Sequence, residues 1–171
     1  MFWIGPQLPT LQRAAILACL SLGTQAFAAS IPLTVDRVLE HARVNHGHRE
    51  IISRTVEGPI VRETYAELYD RARQVSSALL ADGAQPGDRI ATLAWNGARH
   101  MEIWFGAMGI GTILHTVNPR LFPEQIAWII NDAGDTHLFF DLTFIPIVEQ
   151  LVEKCPSVRH WIVLTDDAHA P

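Results

Sequence analysis

The chain has 171 residues, of which 49% are hydrophobic and 18% are charged. This length is sufficient for one domain with a large hydrophobic core but is short for two such domains. Its formal net charge of -5 disfavours nucleic acid and an anionic membrane surface as partners. Cys19 and Cys155 have neither the number nor the spacing of a disulfide framework or a zinc knuckle. Lys154 is the only lysine, whereas phosphate loops and Schiff-base sites usually need a lysine near their glycines.

The first thirty residues differ from the rest of the chain, because Arg13 is their only charged side chain. Residues 14–24 form an apolar run of about the length of a signal-peptide core, which is too short to span a bilayer. The A-F-A triplet at 26–28 has the small-residue pattern of a cleavage site. We therefore expect residues 1–30 to be an export signal or a spurious extension, and residues 31–171 to form the domain.

A helix and a hairpin are predicted at the start of the domain. Thr34 is a good N-cap for a helix whose apolar residues recur at i, i+3, i+4 and i+7 from Val35. Residues 50–55 and 60–64 read as two strands, because they flank the turn-forming Glu-Gly-Pro at 57–59.

The remaining elements alternate between helix and strand. Thr64 and Glu67 have the spacing of a capping box, which predicts a helix that Gly83 ends. The predicted strands cover residues 89–94, 112–116, 136–141 and 160–165, and the helices between them begin at Asn96-Gly97 or cover 124–132 and 145–154. Regular alternation indicates a parallel sheet with right-handed crossovers.

The helix after Gly97 carries large apolar side chains at helical spacing, and these predict its packing face. They are Met101, Trp104, Phe105 and Met108, whereas Arg99 and Glu102 are expected to lie elsewhere.

The segment from Gly109 to Pro123 leads from that helix through a strand into a loop. Gly109 and Gly111 are expected to adopt positive φ, while Pro119 and Pro123 restrict the loop, with Pro123 suited to the first turn of a helix. The loop follows a predicted parallel strand, at the edge where open α/β sheets bind ligands.

No titratable cluster predicts catalysis or a metal site. His41, His46 and His48 lie close in sequence, but the first two are five residues apart and no carboxylate or cysteine completes a site, so structural or solvent-exposed histidines are expected. His115 and Thr116 end a strand, a common ligand position, although we expect a histidine packed in the core or bonded to the backbone. Five aspartates lie mostly at caps and turns, where they would accept backbone N–H groups: Asp82, Asp88, Asp132, Asp135 and Asp141.

Four motifs, T-Y-A-E-L at 64–68, P-G-D-R-I-A at 86–91, W-N at 95–96 and N-P-R-L at 118–121, resemble the N-terminal region of AMP-forming acyl-CoA synthetases. The match looks closest to the medium- and long-chain fatty-acyl-CoA synthetases. The resemblance implies an α/β fold, namely a partial N-terminal domain of the adenylate-forming enzymes with a mainly parallel sheet, flanking helices and a preceding short hairpin. Residues 31–171 would then be an incomplete N-terminal AMP-binding domain.

The resemblance also implies an activity for the full-length family. Such enzymes activate a carboxylic acid with Mg-ATP and pass the acyl group to coenzyme A, so ATP, Mg²⁺ and CoA are the implied cofactors. The family's phosphate loop ending in Pro-Lys-Gly, its aromatic-Gly-x-Thr-Glu stretch, its ribose-binding aspartate and its catalytic lysine have no counterpart in this sequence. We therefore carry over no catalytic, cofactor-binding or metal residue, and expect this chain alone to be inactive and to bind none of the three cofactors.

Two hypotheses follow. The first is the N-terminal portion of a cytoplasmic fatty acid-CoA ligase, whose expected partners are a missing C-terminal part and a second copy in a homodimer. The second is a non-catalytic exported or interaction protein built on the same half-domain, exported if residues 1–28 act as a signal. Neither hypothesis includes an integral membrane span, and the first predicts an open strand edge with exposed apolar side chains.

Overall fold

The computed structural model describes residues 34–170, and the predictions for residues 1–30 lie outside them. The helices are α1 (Val35–His46), α2 (Tyr65–Ala81), α3 (Ala98–Gly109), α4 (Pro123–Ala133) and α5 (Ile145–Leu151). The strands are β1 (Glu50–Arg54), β2 (Ile60–Thr64), β3 (Arg89–Leu93), β4 (Ile113–Thr116), β5 (His137–Asp141) and β6 (His160–Leu164). The helix expected over 145–154 ends earlier, and its last turn is the 3-10 helix Val152–Lys154.

The strands form a hairpin and a separate parallel sheet. β1 pairs antiparallel with β2, while the larger sheet has the order β4-β3-β5-β6 with every pairing parallel. This confirms the α/β class, with a mainly parallel sheet, flanking helices and a preceding hairpin. Within the described residues β4 and β6 are the outer strands, and Ile113 on β4 is 50% exposed. None of the helices in residues 34–170 has both the length and the hydropathy to cross a membrane.

The central strands β3 and β5 bury apolar side chains on both faces of the sheet. On one face Leu93 and Leu138 pack with α4 and α5 around Ile130. On the other face Ile90 and Phe139 pack with α2 and α3. Because each fully buried large apolar side chain contributes about 1.5 to 3 kcal/mol, these two layers hold the sheet together.

Helices α2 and α3 pack closely on each other. The predicted capping box of α2 is present: Thr64 Oγ1 accepts the Glu67 N–H at 3.2 Å, and the Glu67 carboxylate accepts the Thr64 N–H at 2.8 Å. Further along, the Ser76 hydroxyl donates to the Gly106 carbonyl at 2.7 Å. A Cβ on Gly106 would lie 2.7 Å from the Ala72 carbonyl oxygen, so only glycine permits this approach.

The predicted packing face of α3 is wrong. Trp104 is 43% exposed, and Met101, Phe105 and Met108 are only partly buried. The buried positions of α3 are instead Ala98, Glu102, Ile103, Gly106 and Ala107. Gly106 lets α3 approach α2 closely, whereas Met101 and Phe105 pack only partly buried against the cluster around Leu68.

Two turns, each with a glycine in the left-handed backbone region, place the first residues of β3 and β4 side by side. Gly87 has φ 90° and Gly111 has φ 82°, and the Gly87 N–H donates to the Gly111 carbonyl at 2.9 Å. The Ile113 N–H then donates to the Asp88 carbonyl at 2.8 Å, which opens the strand ladder. Gly109 was expected to have positive φ as well, but it is the last residue of α3 and its φ is not positive, so that part of the prediction is wrong.

The hairpin docks on α3 through Glu57, whose side chain is completely buried. Its Oε1 accepts hydrogen bonds from Arg99 Nη1 at 2.7 Å and from the Thr165 hydroxyl at 3.1 Å. Burial alone raises the pKa of Glu57, but the hydrogen bonds, led by that from Arg99, outweigh it and lower the pKa to about 2. On β1, Ser53 Oγ accepts the Ala98 N–H at 3.2 Å and so begins α3.

A second buried carboxyl group lies in the same junction. Glu63 on β2 is 8% exposed, and its Oε2 has no hydrogen-bond partner among the described residues. Nearby Glu102 is equally buried and accepts a hydrogen bond from Arg71 at 3.2 Å. Burial, with a smaller repulsion from Glu102, raises the pKa of Glu63 to about 7.

Gly87→Ala is expected to lower the free energy of unfolding by about 1 kcal/mol, because an L-residue adopts the left-handed backbone region at that cost. No atom lies within 4 Å of the added Cβ, so the loss would come from the backbone alone. The matched control is Gly97→Ala, since Gly97 has an extended backbone with φ -149°. Urea denaturation measures both variants, and equal midpoints for the two would contradict the assigned turn.

Glu63→Gln is expected to stabilise the protein at alkaline pH. The folded pKa of Glu63, about 7, lies above its ordinary value of 4.5, so the folded state binds the proton more tightly and wild-type stability falls as pH rises through about 7. The glutamine variant has no such loss, and should exceed wild type by about 1 to 3 kcal/mol at pH 8, with a smaller or reversed difference near pH 5. Denaturation at both pH values tests this.

The control for that comparison is Glu149→Gln, at an exposed position of α5, which should leave the pH dependence of stability unchanged. A Glu63→Gln variant whose stability difference from wild type is the same at pH 5 and pH 8 would show that Glu63 does not titrate in this range.

Candidate functional site

An open cleft of about 800 Å³ lies at the carboxyl edge of the sheet. The ends of β3 and β4 form its floor, and the hairpin and α3 form its walls. Its apolar lining includes Ile51, Met101, Trp104, Phe105 and Val117. Ligands of open α/β sheets bind at this edge, so the cleft is the candidate site.

Thr92 and His100 form the main polar contact in the cleft. Thr92 lies on β3 and is 1% exposed, and its Oγ1 is 2.9 Å from Nε2 of His100 on α3. Burial lowers the pKa of His100, and a hydrogen bond with the backbone of Trp95 opposes this only partly. The imidazole is therefore neutral at physiological pH, and serves as a hydrogen-bonding group rather than a cation.

Trp95 closes the crevice between the ends of β3 and β5. The connection after β3 leads to β4 on one side, and the connection after β5 leads to β6 on the other side. The crevice between β3 and β5 is therefore the topological switch point of the sheet. The Trp95 N–H donates to the Asp141 carboxylate at 2.6 Å, its indole N–H donates to the Thr143 hydroxyl at 3.0 Å, and its ring contacts that of Phe144 at 5.1 Å between centroids. Burial raises the pKa of Asp141, and the Trp95 N–H opposes that rise. A second pocket of about 400 Å³ adjoins the cleft here.

The loop after β4 forms another wall of the cleft, as predicted. Residues from Thr116 to Pro119 line the cleft, and the Val117 N–H donates to the Thr92 carbonyl at 2.8 Å. The Asn118 side chain accepts the Arg120 N–H at 3.0 Å and shapes the turn. Pro123 then occupies the first turn of α4, where its missing N–H costs no hydrogen bond.

The cleft is suited to an apolar group and not to a polyanion. His100 is the only titratable residue in its lining. In the adjoining pocket the guanidinium groups of Arg71 and Arg99 already pair with carboxylates, and Lys154 lies 3.9 Å from a carboxylate on α4. The described lining of the cleft therefore offers hydroxyl, amide and imidazole groups for one polar atom, but no cationic group for phosphates and no carboxylate for Mg²⁺.

His115 does not line the cleft, and the expectation of a core-packed or backbone-bonded histidine is wrong. Its Nδ1 lies 2.8 Å from the carboxylate of Asp135, while the imidazole is 25% exposed. Asp135 lies in a turn, as expected, but it is completely buried and its carboxylate pairs with His115 rather than with a backbone N–H. Burial raises the pKa of Asp135, and the hydrogen bond with His115 opposes that rise. A buried carboxyl group that water cannot reach needs such a hydrogen-bond partner. The pair also links β4 to the turn before β5.

The other histidines and aspartates lie outside the cleft. His41 bonds the side chain of Asn45 at 3.1 Å and contacts the ring of His46 edge-on at 5.9 Å. The Asp88 carboxylate accepts the Gln85 N–H at 2.9 Å, as expected of a turn aspartate. The remaining aspartates lie at the end of α2 (Asp82), on the surface of α4 (Asp132) and under Trp95 (Asp141).

Thr92 and His100 were missed because a threonine in an apolar strand and an isolated histidine have no distinctive spacing. Their position relative to the predicted strand and helix is the feature that could have identified them. Residues at the carboxyl end of a buried parallel strand, and in the first turn of the helix after it, meet at the ligand-binding edge of the sheet.

The chain is similar in sequence and in fold to known CoA ligases. A 3-methylmercaptopropionyl-CoA ligase from Ruegeria lacuscaerulensis is 45% identical over 133 residues, which make up 78% of this chain and 25% of that protein. A long-chain-fatty-acid–CoA ligase from Thermus thermophilus is 44% identical over 130 residues, which make up 76% of this chain and 24% of that protein. A solved structure assigned as a long-chain-fatty-acid CoA ligase from Rhodopseudomonas palustris has a TM-score of 0.69 at 28% identity, covering 78% of this chain and 33% of its own.

The chain spans about a quarter of the length of these curated relatives. The family described as AMP-binding enzyme matches residues 38–171, which include the hairpin, the parallel sheet and the cleft. These similarities confirm the resemblance to the N-terminal region of acyl-CoA synthetases and the adenylate-forming fold. On its sequence and on its fold, the chain belongs to the AMP-binding enzyme family.

Proposed function

We propose that residues 31–171 act as the N-terminal portion of a fatty acid-CoA ligase, which converts ATP, a fatty acid and CoA to acyl-CoA, AMP and pyrophosphate. The observation that carries this proposal is the 45% and 44% identity to two CoA ligases over 133 and 130 residues. A boundary near residue 30 is part of the proposal, and its support is that the family match begins at residue 38.

The cleft would contribute an apolar wall to the binding of the acid's hydrocarbon chain. Its lining is rich in large apolar side chains of α3 that are not fully buried, among them Trp104 and Phe105. Removing each such surface from water on binding would stabilise the complex through the hydrophobic effect. The contact between Thr92 and His100 would hold the rim of the cleft in place.

The described residues would bind and position rather than react. ATP and Mg²⁺ do not fit the cleft, because its described lining has no lysine, arginine, aspartate or glutamate. We propose that none of these residues is catalytic, that the chain alone binds neither Mg-ATP nor CoA, and that the rest of the ligase supplies the phosphate and CoA sites. A cytoplasmic location and a homodimer belong to the same proposal.

The alternative, a non-catalytic exported or interaction protein, has no supporting observation in the described residues or in the relatives. Two exposed aromatic side chains, Phe122 just before α4 and Trp128 on α4, at 73% and 66% exposure, are compatible with packing against the remainder of a larger enzyme.

The purified 171-residue chain is expected to release no pyrophosphate above background when given Mg-ATP, CoA and a long-chain fatty acid, since it has no group to stabilise charge on the transferring phosphate. A coupled pyrophosphate assay checks this, with the intact Thermus thermophilus ligase as the positive control. Fatty-acid-dependent release by the purified chain would overturn the assignment of a purely positioning role.

The function itself is tested in a chimera, in which the matching 130 residues of the Thermus thermophilus ligase are replaced by those of this chain. We expect fatty-acid-dependent pyrophosphate release to be retained. Trp104→Glu in the chimera should raise KM for the fatty acid about tenfold, or about 1.4 kcal/mol, because a charge then lines the apolar cleft.

The matched control is Trp128→Glu, an exposed tryptophan on α4 that does not line the cleft. It should leave KM for the fatty acid unchanged. A folded chimera without activity would contradict the proposed function, and equal effects of the two glutamate substitutions would contradict the role of the cleft.

A further inference from the structure

Three potential metal ligands meet at the amino edge of the sheet, opposite the cleft. His137 is the first residue of β5 and His160 the first residue of β6, and the two are register partners in the parallel ladder. Asp82 is the C-cap of α2. One ligand atom from each of these residues lies within 4.8 Å of those of the other two.

The contacts of the buried histidine suit the tautomer of a metal ligand. The Thr136 hydroxyl lies 3.3 Å from the Arg89 carbonyl and 2.8 Å from His137 Nδ1. When the hydroxyl donates to the carbonyl it accepts from Nδ1–H, and Nε2 then keeps its lone pair. His137 is completely buried, and this Nε2 has no hydrogen-bond partner among residues 34–170.

A buried lone pair without a partner is costly, and a metal ion would satisfy it. Metal-binding histidines commonly donate their second ring nitrogen to a neighbouring oxygen, which fixes the ring and its tautomer. Thr136 holds His137 in this way, with the Arg89 carbonyl behind it.

The other two ligands can move to an ion. The rings of His137 and His160 are stacked, with centroids 4.5 Å apart and planes 11° apart, so one of the rings must turn for both to bind the same ion. Ligand atoms on a tetrahedral Zn²⁺ lie about 3.3 Å from each other, given bonds of about 2.0 to 2.1 Å. His160 is half-buried and Asp82 is exposed, so side-chain rotation closes the difference without moving the strands.

Charges of both signs surround His137. His160 and Arg159 act on its imidazole, and the carboxylates of Asp82 and Asp88 oppose them, with the Arg159 guanidinium 4.0 Å from Asp88. The carboxyl end of α2 also points here, and its dipole is negative.

We infer that Asp82, His137 and His160 bind one Zn²⁺ ion through His137 Nε2, one nitrogen of His160 and a carboxylate oxygen. Two imidazoles select a transition metal rather than Mg²⁺, and a water molecule would complete the tetrahedron. This site is independent of the proposed ligase activity, because it lies at the opposite edge of the sheet from the cleft.

The test uses the full chain after chelator treatment and dialysis. Isothermal titration with Zn²⁺ should give one ion per chain with a Kd below about 10 µM, a Zn²⁺-dependent rise in Tm should accompany it, and Co²⁺ should give the visible absorption of a tetrahedral complex. No stoichiometric Zn²⁺ binding would overturn the inference.

Variants locate the ion. Because replacing the buried His137 could unfold the protein, the test uses its neighbours. His160→Gln should weaken Zn²⁺ binding at least about a hundredfold, and Asp82→Asn at least about tenfold. Thr136→Val should weaken it about tenfold, because Nδ1 of His137 loses its partner. Each variant's far-UV circular dichroism and metal-free Tm establish that it is folded.

The matched control is His169→Gln, which removes an exposed histidine lying next to the carboxylate of Asp166. It should bind Zn²⁺ as wild type does. If His160→Gln and Asp82→Asn keep wild-type affinity, or if His169→Gln loses as much as they do, the ion binds elsewhere and the inference fails.

Discussion

The structure depends on the burial of the two central strands on both faces. β3 and β5 are neighbours in the middle of the sheet, and their side chains alternate between the layer of α4 and α5 and the layer of α2 and α3. A parallel strand can be buried this way only if helices cover both faces. The connections must therefore cross the sheet on opposite faces, which creates the switch point that Trp95 closes.

This arrangement gives the two edges of the sheet different chemistry. At the carboxyl edge the strand ends diverge, and the hairpin and α3 enclose an apolar cleft in which His100 is held neutral by burial. At the amino edge the register pairs His137 with His160, and the end of α2 adds Asp82. The hairpin keeps its place at the first edge through the fully buried Glu57, whose hydrogen bonds outweigh the cost of burying its charge.

Local patterns were sufficient for most of the fold. The capping box at Thr64, the left-handed turn glycines Gly87 and Gly111, and the alternation of strand and helix each act within a few residues, so they can be read from sequence. The packing face of α3 could not, because hydrophobicity ranks Trp104 above Gly106. Only the approach of α2 makes the small side chain the buried one.

The sequence by itself determined the α/β class, the order of the elements, the family resemblance and the position of the loop that lines the cleft. The tertiary structure decided which side chains meet. His115 and Asp135 are twenty residues apart, Thr92 and His100 eight, and Asp82 lies far from His137 and His160 in the chain. Such pairs depend on strand register and on how the helices dock, and these are set by packing across the whole domain rather than by local propensity.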